Sequence, residues 1–550
     1  MNDKKNKTPW SWIPSLYFAE GIPYIIVMFV ASDLYKTMGI SNAALAFWTS
    51  ILYLPWVIKP LWSPFVDIAW TKRKWVVFTQ FALALAFFGI SFILQLPWWF
   101  VLSLVFLWMM AIISATHDIA ADGFYMLALD QHTQTFFSGI RGTFYRLAMI
   151  AGMGLLVILT GLILERTGLD DREIIIRTVD PGIQIPEIDP AEISISETET
   201  PEILVFPEHP VIPLFTEGAV DSAVIYLALS AAPEQGETVR INLGHKKGSK
   251  SIMLAGKSFF EFDQGNWDQP QKAVIRADHN LQEITEAKFA VQSGDIALSW
   301  TISIALLGVF FLLLAIYHSK ILPLPATDIS KSMQTGYWTV LLSFFKKKGI
   351  LASLAFLFFY RFSESQLTKM ASPFLLDSVE NGGLALTLTE KGFAYGTVGL
   401  IALLAGGILG GIVAAKWGLK KWIWWMALAI NVPNVVYVYM AFAQPDNLVV
   451  INLCIALEQF GYGFGFTAYM LYMLYLAGQG EHKTAHYALA TGFMALGMML
   501  PGMISGYMQE ILGYQMFFIY ILLCTIPGFL TVFFIKIDPA FGLKKGNGDA

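Results

Sequence analysis

Charged residues and cysteines are both scarce in this chain. Asp, Glu, Lys and Arg together make up 14% of the 550 residues, whereas hydrophobic residues make up 56%. Because charged residues normally supply about 25% of a soluble protein, this composition indicates a chain whose solvent is the lipid bilayer. The only cysteines are Cys454 and Cys524, both in apolar segments. Their number and placement exclude a disulfide framework and a Cys-x-x-Cys metal site.

The charges that are present divide between two regions of the chain. Residues 166–296 carry 11 Lys and Arg against 22 Asp and Glu, whereas the rest of the chain carries 25 against 19. The basic residues lie in short loops and not in a stripe with interleaved aromatic side chains. This pattern argues against nucleic acid as a partner and favours a membrane protein with an acidic soluble region.

Twelve stretches are long and apolar enough to cross a bilayer as α-helices, which takes about 20 residues each. The sequence therefore predicts an all-α membrane protein with twelve transmembrane helices. These helices centre on residues 14–33, 43–65, 75–95, 98–120, 143–164, 297–317, 349–372, 391–415, 421–442, 448–477, 485–509 and 514–535.

Clusters of lysine and arginine in the short loops predict the orientation of these helices. Cytoplasmic loops are enriched in Lys and Arg, and twelve crossings place all the clusters on one side. Both termini are then cytoplasmic, and residues 166–296 lie on the periplasmic side of a bacterial inner membrane. The clusters lie at residues 4–7, 72–74, 346–348, 420–421 and 544–545.

The predicted domain order follows from these boundaries. Two six-helix halves are separated by a soluble insert between helices 5 and 6 and by a cytoplasmic loop after helix 6. The segments are 1–165 for helices 1–5, 166–296 for the insert, 297–320 for helix 6, 321–348 for the loop, 349–536 for helices 7–12 and 537–550 for a cytoplasmic tail.

The insert has the sequence pattern of β-structure. Residues 172–213 contain seven prolines among Ile-x-Ile alternations, which predicts short edge strands or an ordered tether. The run from Phe262 to Val274 resembles the Phe-x-x-x-Asn-Trp-x-x-Pro-Gln signature of bacterial extracellular Calx-β-like and immunoglobulin-like modules. Five further segments alternate apolar and polar residues between turns, as strands of an antiparallel sandwich do: 223–230, 237–243, 251–254, 258–262 and 272–277.

The two membrane halves share a pattern at a shift of 344 or 345 residues. Acidic residues are uncommon in membrane helices, so repeated acids predict a parallel repeat, the layout of the halves of major facilitator proteins. The matching positions are Glu20 with Glu364, Asp33 with Asp377, Tyr125 with Tyr469, Gly161 with Gly506, Glu165 with Glu510 and Gly168 with Gly513.

Charged residues inside the predicted helices are the candidates for function, since a charge at the bilayer centre costs about 2.5 kcal/mol or more. Asp118 and Asp122 are four residues apart and share a helix face, where one carboxyl can stay protonated beside the other and carry a proton. Alternatively, they form structural ion pairs with Arg146 or Arg361. The predicted residues for proton coupling and the substrate cavity are Glu20, Asp118, Asp122, Arg146, Arg361, Glu364 and Glu458.

A second group of charged residues follows helices 2 and 8. Both loops resemble eroded copies of the Asp/Gly plus Gly-Arg-Arg loop that latches major facilitator halves on the cytoplasmic side. The predicted gating residues are Asp67, Lys72, Arg73, Lys416 and Lys420.

No metal or other cofactor is expected, and the proton gradient is the predicted source of energy. His482 and His486 have the i, i+4 spacing of a zinc site. Only Glu481 lies near them in the sequence, so the ligand set is too small.

Three motifs resemble the muropeptide permease (AmpG-like) branch of the major facilitator superfamily. The resemblance covers nearly all of the membrane part, and acetyl-coenzyme A transporters are the sister branch. In the third motif His117 stands where the family has Gln. The motifs are Glu-Gly-x-Pro at 20–23, Lys-Pro-x-Trp-x-Pro-x-x-Asp at 59–67 and His-Asp-x-x-x-Asp at 117–122.

The resemblance implies proton-driven import of N-acetylglucosaminyl-1,6-anhydro-N-acetylmuramyl peptides for cell-wall recycling. By position, Glu20, Asp118, Asp122 and Arg361 match charges of the family, and the two aspartates take the proton-coupling role. Two departures weaken the substrate assignment: the large insert, which the bacterial members lack, and the Asp67 loop, which lacks Gly-Arg-Arg.

Other functions stay open at this point. The substrate can instead be another amino-sugar oligosaccharide, a sugar acid or an acyl-coenzyme A type molecule. A membrane receptor and a membrane-embedded acyltransferase using His117 beside Asp118 are remote alternatives. The expected partners are lipid, a small glycan or glycopeptide and, for the insert, a periplasmic or outer-membrane component; the expected state is a monomer.

Overall fold

The computed structural model describes most of the chain. It covers residues 8–539 and 541, apart from 181–182, 184–187, 215–221, 234–238, 250, 256–258, 279–280, 282, 327, 329–336 and 480–482.

The first half of the membrane part is helical on both sides of the insert. A π-helical turn, Ile26–Val30, separates α1 from α2, and a second one, Ala151–Leu156, separates α7 from α8. The helices are α1 Ile13–Ile25, α2 Ala31–Thr37, α3 Asn42–Ile51, α4 Leu54–Ala69, α5 Lys72–Ile93, α6 Trp99–Ala128, α7 Gln131–Ile150, α8 Val157–Thr167 and, after the insert, α9 Ile296–Ile321.

The second half is built in the same way. A π-helical turn, Ala394–Gly399, joins α13 to α14, and Gly513 interrupts α18 with a φ of +68° that glycine adopts without strain. The helices are α10 Tyr337–Phe345, α11 Ile350–Phe359, α12 Phe362–Leu376, α13 Leu388–Phe393, α14 Leu400–Trp417, α15 Leu419–Asn431, α16 Val435–Ala443, α17 Leu448–Gly478, α18 Lys483–Leu523 and α19 Ile526–Phe534.

Within the described residues, ten helical stretches are long and apolar enough to cross a membrane, so the chain is a multi-pass membrane protein. One of them, His486–Phe534, is 49 residues long and contains the break at Gly513. The predicted span 349–372 is not among the ten. It is divided at Arg361 between α11 and α12, and it carries Glu364 and Lys369, which lower its apolar character.

The insert is a β-sandwich. A five-stranded sheet has the order β3-β1-β9-β5-β7, and a four-stranded sheet has the order β2-β4-β8-β6. All neighbours are antiparallel except β1 and β3. The strands are β1 Arg172–Val179, β2 Ile203–Phe206, β3 Val211–Pro213, β4 Ser222–Leu229, β5 Val239–Gly248, β6 Ile252–Ala255, β7 Phe259–Phe262, β8 Gln271–Ala277 and β9 Glu286–Ser293.

The core of the insert lies between its two sheets. Ile176 and Phe289 from one sheet and Ile225 and Ile275 from the other are fully buried in one cluster. The expectation of edge strands in 172–213 holds for β2 and β3 but is wrong for β1. Strand β1 is internal because it pairs with β9 on one side and with β3 on the other.

The insert enters and leaves the membrane part at neighbouring points. The backbone N–H of Leu169 donates to Ser293 Oγ at 2.6 Å, and Gly168 packs closely against the backbone of residues 293–294. The ends of α8 and α9 are thus already adjacent at this face, which we call the insert face.

Candidate functional site

A cavity of about 550 Å³ lies between the two halves of the membrane part. It extends from the middle of the helices toward the face opposite the insert. Among the described residues, the aromatic side chains that line the cavity are tyrosines and phenylalanines, and none is a tryptophan. The polar and aromatic lining residues are Tyr17, Glu20, Phe29, Arg141, Tyr145 and Arg146 from the first half and Thr368, Tyr395, Gln459, Tyr462, Phe466 and Thr467 from the second.

The aspartates of α6 are held by two basic residues from other helices. Lys59 of α4 forms an ion pair with Asp118. Arg141 of α7 forms one with Asp122 at 3.0 Å, and the Tyr17 hydroxyl donates to the same carboxylate at 3.1 Å. The two aspartates therefore lie on one helix face, as the i, i+4 spacing predicts, and this face contacts Lys59, Arg141 and Tyr17.

Glu20 completes this group of carboxylates. It is 9% exposed, and Asp118, Asp122, Arg141 and Lys59 are charged neighbours of it. Among the described residues, its Oε2 atom has no hydrogen-bond partner. Glu20, Asp118, Asp122, Lys59 and Arg141 are called the N-half charge cluster below.

The expected pairing of Arg146 with this face is wrong, because Arg141 occupies that position. The guanidinium of Arg141 lies 4.7 Å from the centre of the Tyr17 ring and 5.1 Å from that of the Tyr125 ring, so its orientation is fixed by cation–π contacts as well. Arg146, five residues further along α7, lines the cavity, as Arg141 also does.

His117 is part of a buried hydrogen-bond chain inside the first half. The Gln80 amide nitrogen is 3.0 Å from His117 Nε2, Gln80 Oε1 is 2.8 Å from His318 Nδ1, and His318 Nε2 is 2.9 Å from the Ser15 hydroxyl. His117 is 1% exposed. A histidine enclosed in this way does not form the accessible nucleophile–base arrangement that an acyltransferase needs.

The second half contributes three of the predicted charges. Arg361, at the break between α11 and α12, donates to the Tyr462 hydroxyl at 2.5 Å and lies 4.8 Å from the centre of the Phe466 ring. Glu364 accepts a hydrogen bond from the Thr368 hydroxyl at 2.8 Å. Glu458 accepts one from the Gln459 amide at 2.9 Å. The alternative that Arg361 forms structural ion pairs with the aspartates of α6 is therefore wrong.

Lys369 is a buried cation that points toward the first half. Its Nζ donates to the Thr49 hydroxyl at 3.1 Å and lies 5.3 Å from the centre of the Tyr53 ring. It is 3% exposed, and no ion pair of Lys369 is found among the described residues.

Two ion pairs join the halves at the insert face. Asp33 of α2 pairs with Lys391 of α13 at 2.5 Å, and both side chains are almost fully buried. Lys36 of α2 pairs with Asp377, which also accepts from the Tyr514 hydroxyl at 2.6 Å. We call Asp33, Lys391, Lys36 and Asp377 the outer gate. It joins the two halves on the insert face.

The repeated glycine and glutamate positions lie beside this gate. Glu510 accepts from the backbone N–H of Ala43 in the first turn of α3 at 2.8 Å, and Gly506 packs against the same turn. Glu165 accepts from the Thr389 hydroxyl in the first turn of α13 at 3.3 Å, and Gly161 packs there. Each half thus contacts the first turn of a helix of the other half: Glu510 accepts from a backbone N–H and Glu165 from a side-chain hydroxyl, and glycine allows the close approach.

The predicted gating residues make contacts within the first half and its following loop. The backbone amides of Lys72 and Arg73 both donate to Asp328, at 2.7 and 3.0 Å, and the Arg73 side chain donates to the carbonyl oxygen of Ser319. This geometry fastens the loop between the halves to the start of α5, and the contacts of Arg73 do not form the expected latch across the halves.

The other predicted gating residues show no cross-half contact either, as far as the structure describes them. Lys416 lies 4.7 Å from the Trp417 ring and Lys420 is exposed. The Asp67 side chain lies outside the described residues, as do His482 and Glu481. The described residues hold no group of three metal-ligating side chains.

Sequence reasoning missed the basic partners Lys59, Arg141 and Lys391. Lys59 carries a detectable signal, because it interrupts the apolar run 51–66 and therefore needs a counter-charge. Arg141 and Lys391 lie near the ends of apolar stretches, where a basic residue is ordinary, so the sequence gives no comparable signal for them.

Comparisons with known proteins agree with the resemblance seen in the motifs. No protein-family model matches the chain. An uncharacterised Haemophilus influenzae protein is 27% identical over 258 residues, 45% of this chain and 58% of that protein. A Rickettsia typhi protein named "Putative transporter AmpG 2" is 27% identical over 216 residues, 38% of this chain and 48% of that protein. The chain thus spans about half the length of these relatives.

Solved transporter structures share the fold at low identity. A bacterial homologue of the human lysosomal transporter Spinster, in an inward-facing unoccupied conformation, matches with a TM-score of 0.56 and 11% identity over 97% of each chain. The D-xylose–proton symporter matches with a TM-score of 0.55 and 10% identity, over 97% of this chain and 98% of that one.

These likenesses confirm the family resemblance and the class of fold. The named relatives and the structural neighbours are transporters of the major facilitator kind and not enzymes. The chain is therefore a multi-pass membrane protein with the major facilitator fold and an additional β-sandwich, and part of its sequence is similar to that of putative AmpG transporters.

Proposed function

We propose that this protein is a proton-coupled secondary transporter that imports anhydro-muropeptides across the bacterial inner membrane for cell-wall recycling. The observation that carries the proposal is the N-half charge cluster at the wall of the cavity between the halves. A buried carboxyl, Glu20, lines the cavity, and the partly exposed carboxyls of Asp118 and Asp122 lie beside it; such a group of acids is what a carrier needs to bind a proton together with its substrate.

The shape and chemistry of the cavity support a carbohydrate substrate with acidic groups. Tyr17, Tyr145, Tyr395 and Tyr462 line the cavity, and aromatic faces pack on apolar sugar surfaces while their hydroxyls donate hydrogen bonds. Arg146 also lines it and offers a guanidinium fork to a substrate carboxylate. An acyl-coenzyme A type substrate, with its phosphates, is the second candidate for the same arginine.

The proposal includes twelve crossings with both termini in the cytoplasm. The stretch His486–Phe534 supplies two spans divided at Gly513, and α11 with α12 supplies the seventh. The described basic loops around Arg73, Lys347 and Lys420 lie on the face opposite the insert, which makes that face cytoplasmic by the positive-inside rule. The insert is then periplasmic and the cavity opens inward.

Uptake into proteoliposomes tests the substrate. Labelled N-acetylglucosaminyl-anhydro-N-acetylmuramic acid, with and without its stem peptide, is supplied under an imposed inward proton gradient. We expect accumulation that an uncoupler collapses. If well-inserted protein accumulates neither compound, muropeptide import is wrong, and amino-sugar oligosaccharides and acyl-coenzyme A esters are tested next in the same vesicles.

Removal of the insert is expected to leave transport measurable. Residues 172–294 are deleted and the ends are bridged by a flexible Gly–Ser linker. Since Leu169 and Ser293 are already in contact, the linker spans a short gap and the membrane helices keep their packing. Initial uptake rates of the deleted and complete chains, normalised to inserted protein, are compared. Complete loss of uptake with normal insertion would show that the insert belongs to the transport path.

A further inference from the structure

A second group of buried carboxyls lies in the other half of the membrane part. Glu364 of α12 is 1% exposed and Glu458 of α17 is 2% exposed, and each is an electrostatic neighbour of the other. One oxygen of each carboxyl accepts a hydrogen bond, as described above. Among the described residues, the remaining oxygens, Glu364 Oε2 and Glu458 Oε1, have no partner.

Only one cation balances these two carboxyls in the described part of the chain. It is Arg361, which is an electrostatic neighbour of Glu364. The other titratable groups around the pair are the phenols of Tyr395, Tyr437 and Tyr462 and the Cys454 thiol, all neutral in their ordinary forms. The pair with Arg361 therefore carries one negative charge too many for a site removed from water.

Lys369 does not supply the missing positive charge. It lies on the same helix as Glu364, but its Nζ contacts Thr49 and the Met28 carbonyl oxygen, at 3.1 and 3.5 Å, in the first half.

The N-half charge cluster has the same imbalance. Its three carboxyls, Glu20, Asp118 and Asp122, face the two cations Lys59 and Arg141. The orphan oxygen there belongs to Glu20, which corresponds to Glu364 in the internal repeat. Each of these two clusters therefore has one carboxyl more than its cations.

An isolated buried carboxylate costs several kcal/mol even after the protein relaxes, whereas the neutral acid does not carry this cost. We propose that one of the two carboxyls of Glu364 and Glu458 keeps a bound proton, that Glu20 binds another within its cluster, and that the carrier moves two protons with each substrate molecule. The stoichiometry rests on the proposed symport, whereas the second proton site does not.

Both sites lie where substrate can affect them. Glu20 lines the cavity directly. Gln459 and Thr368, which donate to Glu458 and Glu364, line it from the other half. A ligand that takes a hydrogen bond from either side chain changes the partners of the carboxyl behind it. Proton release in each half is thus linked to the same bound molecule.

Infrared spectroscopy tests the two sites without any substrate. Purified protein in lipid is titrated in pH, and the C=O stretching band of protonated buried carboxyls is followed. We expect two such groups in the wild type. Glu20→Gln removes one, and Glu364→Gln or Glu458→Gln removes the other. Glu173→Gln in the insert, a carboxylate paired with Lys246 on the exposed surface, is the matched control and leaves the buried band unchanged.

The proposal is overturned if neither Glu364→Gln nor Glu458→Gln alters the band in protein that is folded and inserted. It is also overturned if the band in wild type disappears on adding sodium at constant pH, since the pair would then be a sodium site. Neither result depends on the substrate, so the muropeptide assignment can fail while the second proton site stands.

Accumulation tests the stoichiometry. At zero membrane potential, a gradient of one pH unit sustains about 10-fold accumulation with one proton and about 100-fold with two. With labelled anhydro-disaccharide we expect about 100-fold for the wild type and about 10-fold for Glu364→Gln. A wild-type ratio of about 10 would limit the carrier to one coupled proton.

Discussion

Asp118→Asn abolishes the part of accumulation that the N-half charge cluster couples to protons. Asp118 is the counter-ion of Lys59 inside the membrane and a neighbour of Glu20. Without it, the two cations of the cluster face two carboxyls, so no excess carboxyl is left to bind a proton. The measurement is uptake into proteoliposomes with an imposed gradient of one pH unit, where the accumulation ratio is expected to fall about 10-fold.

Two further variants separate coupling from folding. Lys59→Met combined with Asp118→Asn removes both charges, so the protein is expected to insert normally and still show the same lowered accumulation. Substrate exchange without a proton gradient should persist in that variant. Undiminished accumulation by Asp118→Asn, and by Asp122→Asn made in parallel, would show that the aspartates are structural ion pairs and have no part in coupling.

The sequence predicts the membrane helices well because the bilayer imposes a length and a composition on each one. It predicts the common face of Asp118 and Asp122 for an equally local reason, the helical period. Their partners Lys59 and Arg141 belong to α4 and α7. The sequence of α6 alone does not indicate which other helices pack beside it, so these partners could not be predicted.

In the insert too, features set by neighbouring residues are predictable from the sequence, whereas contacts between distant residues are not. Strands such as β4 and β8 alternate apolar and polar residues, and the pattern predicts them. The pattern does not predict β9 and predicts β1 only as an edge strand. These two strands pair with each other across more than 100 residues of sequence. Pairing of that kind is set by the tertiary structure and leaves little mark on either strand alone.

The sequence reveals the internal repeat but not the structural role of the repeated residues. Gly161 with Glu165, and Gly506 with Glu510, are recognisable as a duplicated spacing. Their role is visible only in three dimensions, where each pair receives the first turn of a helix from the opposite half. Asp33 and Asp377, also duplicated, then pair with Lys391 and Lys36 across the same boundary.

The outer gate gives the second large expected effect. Lys391→Gln leaves Asp33 buried without its cation, although the Ser372 hydroxyl still donates to it. The closed insert face loses about 3–5 kcal/mol, enough to change the ratio of closed to open forms by a factor of about 100 or more. We therefore expect Lys391→Gln to populate a form that is open on the insert face.

Electron-spin distance measurements detect this opening. Spin labels are placed at Pro97→Cys and Asp446→Cys, two exposed loop positions on the insert face in different halves, after Cys454 and Cys524 have been replaced by Ser. The distance distribution should shift from short to long in Lys391→Gln. Lys246→Gln, which removes an exposed ion pair with Glu173 in the insert, should leave it unchanged.

Exchange of the two charges decides whether the pair itself holds the gate. Asp33→Lys combined with Lys391→Asp restores an ion pair across the same boundary, so the short distance should return at least in part. If Lys391→Gln leaves the distances unchanged while the protein is well inserted, the contacts of Glu510 and Glu165 are sufficient to hold the insert face closed. The ion pair would then be a consequence of closure and not its cause, because a group that contributes free energy to one state only must shift the population when it is removed.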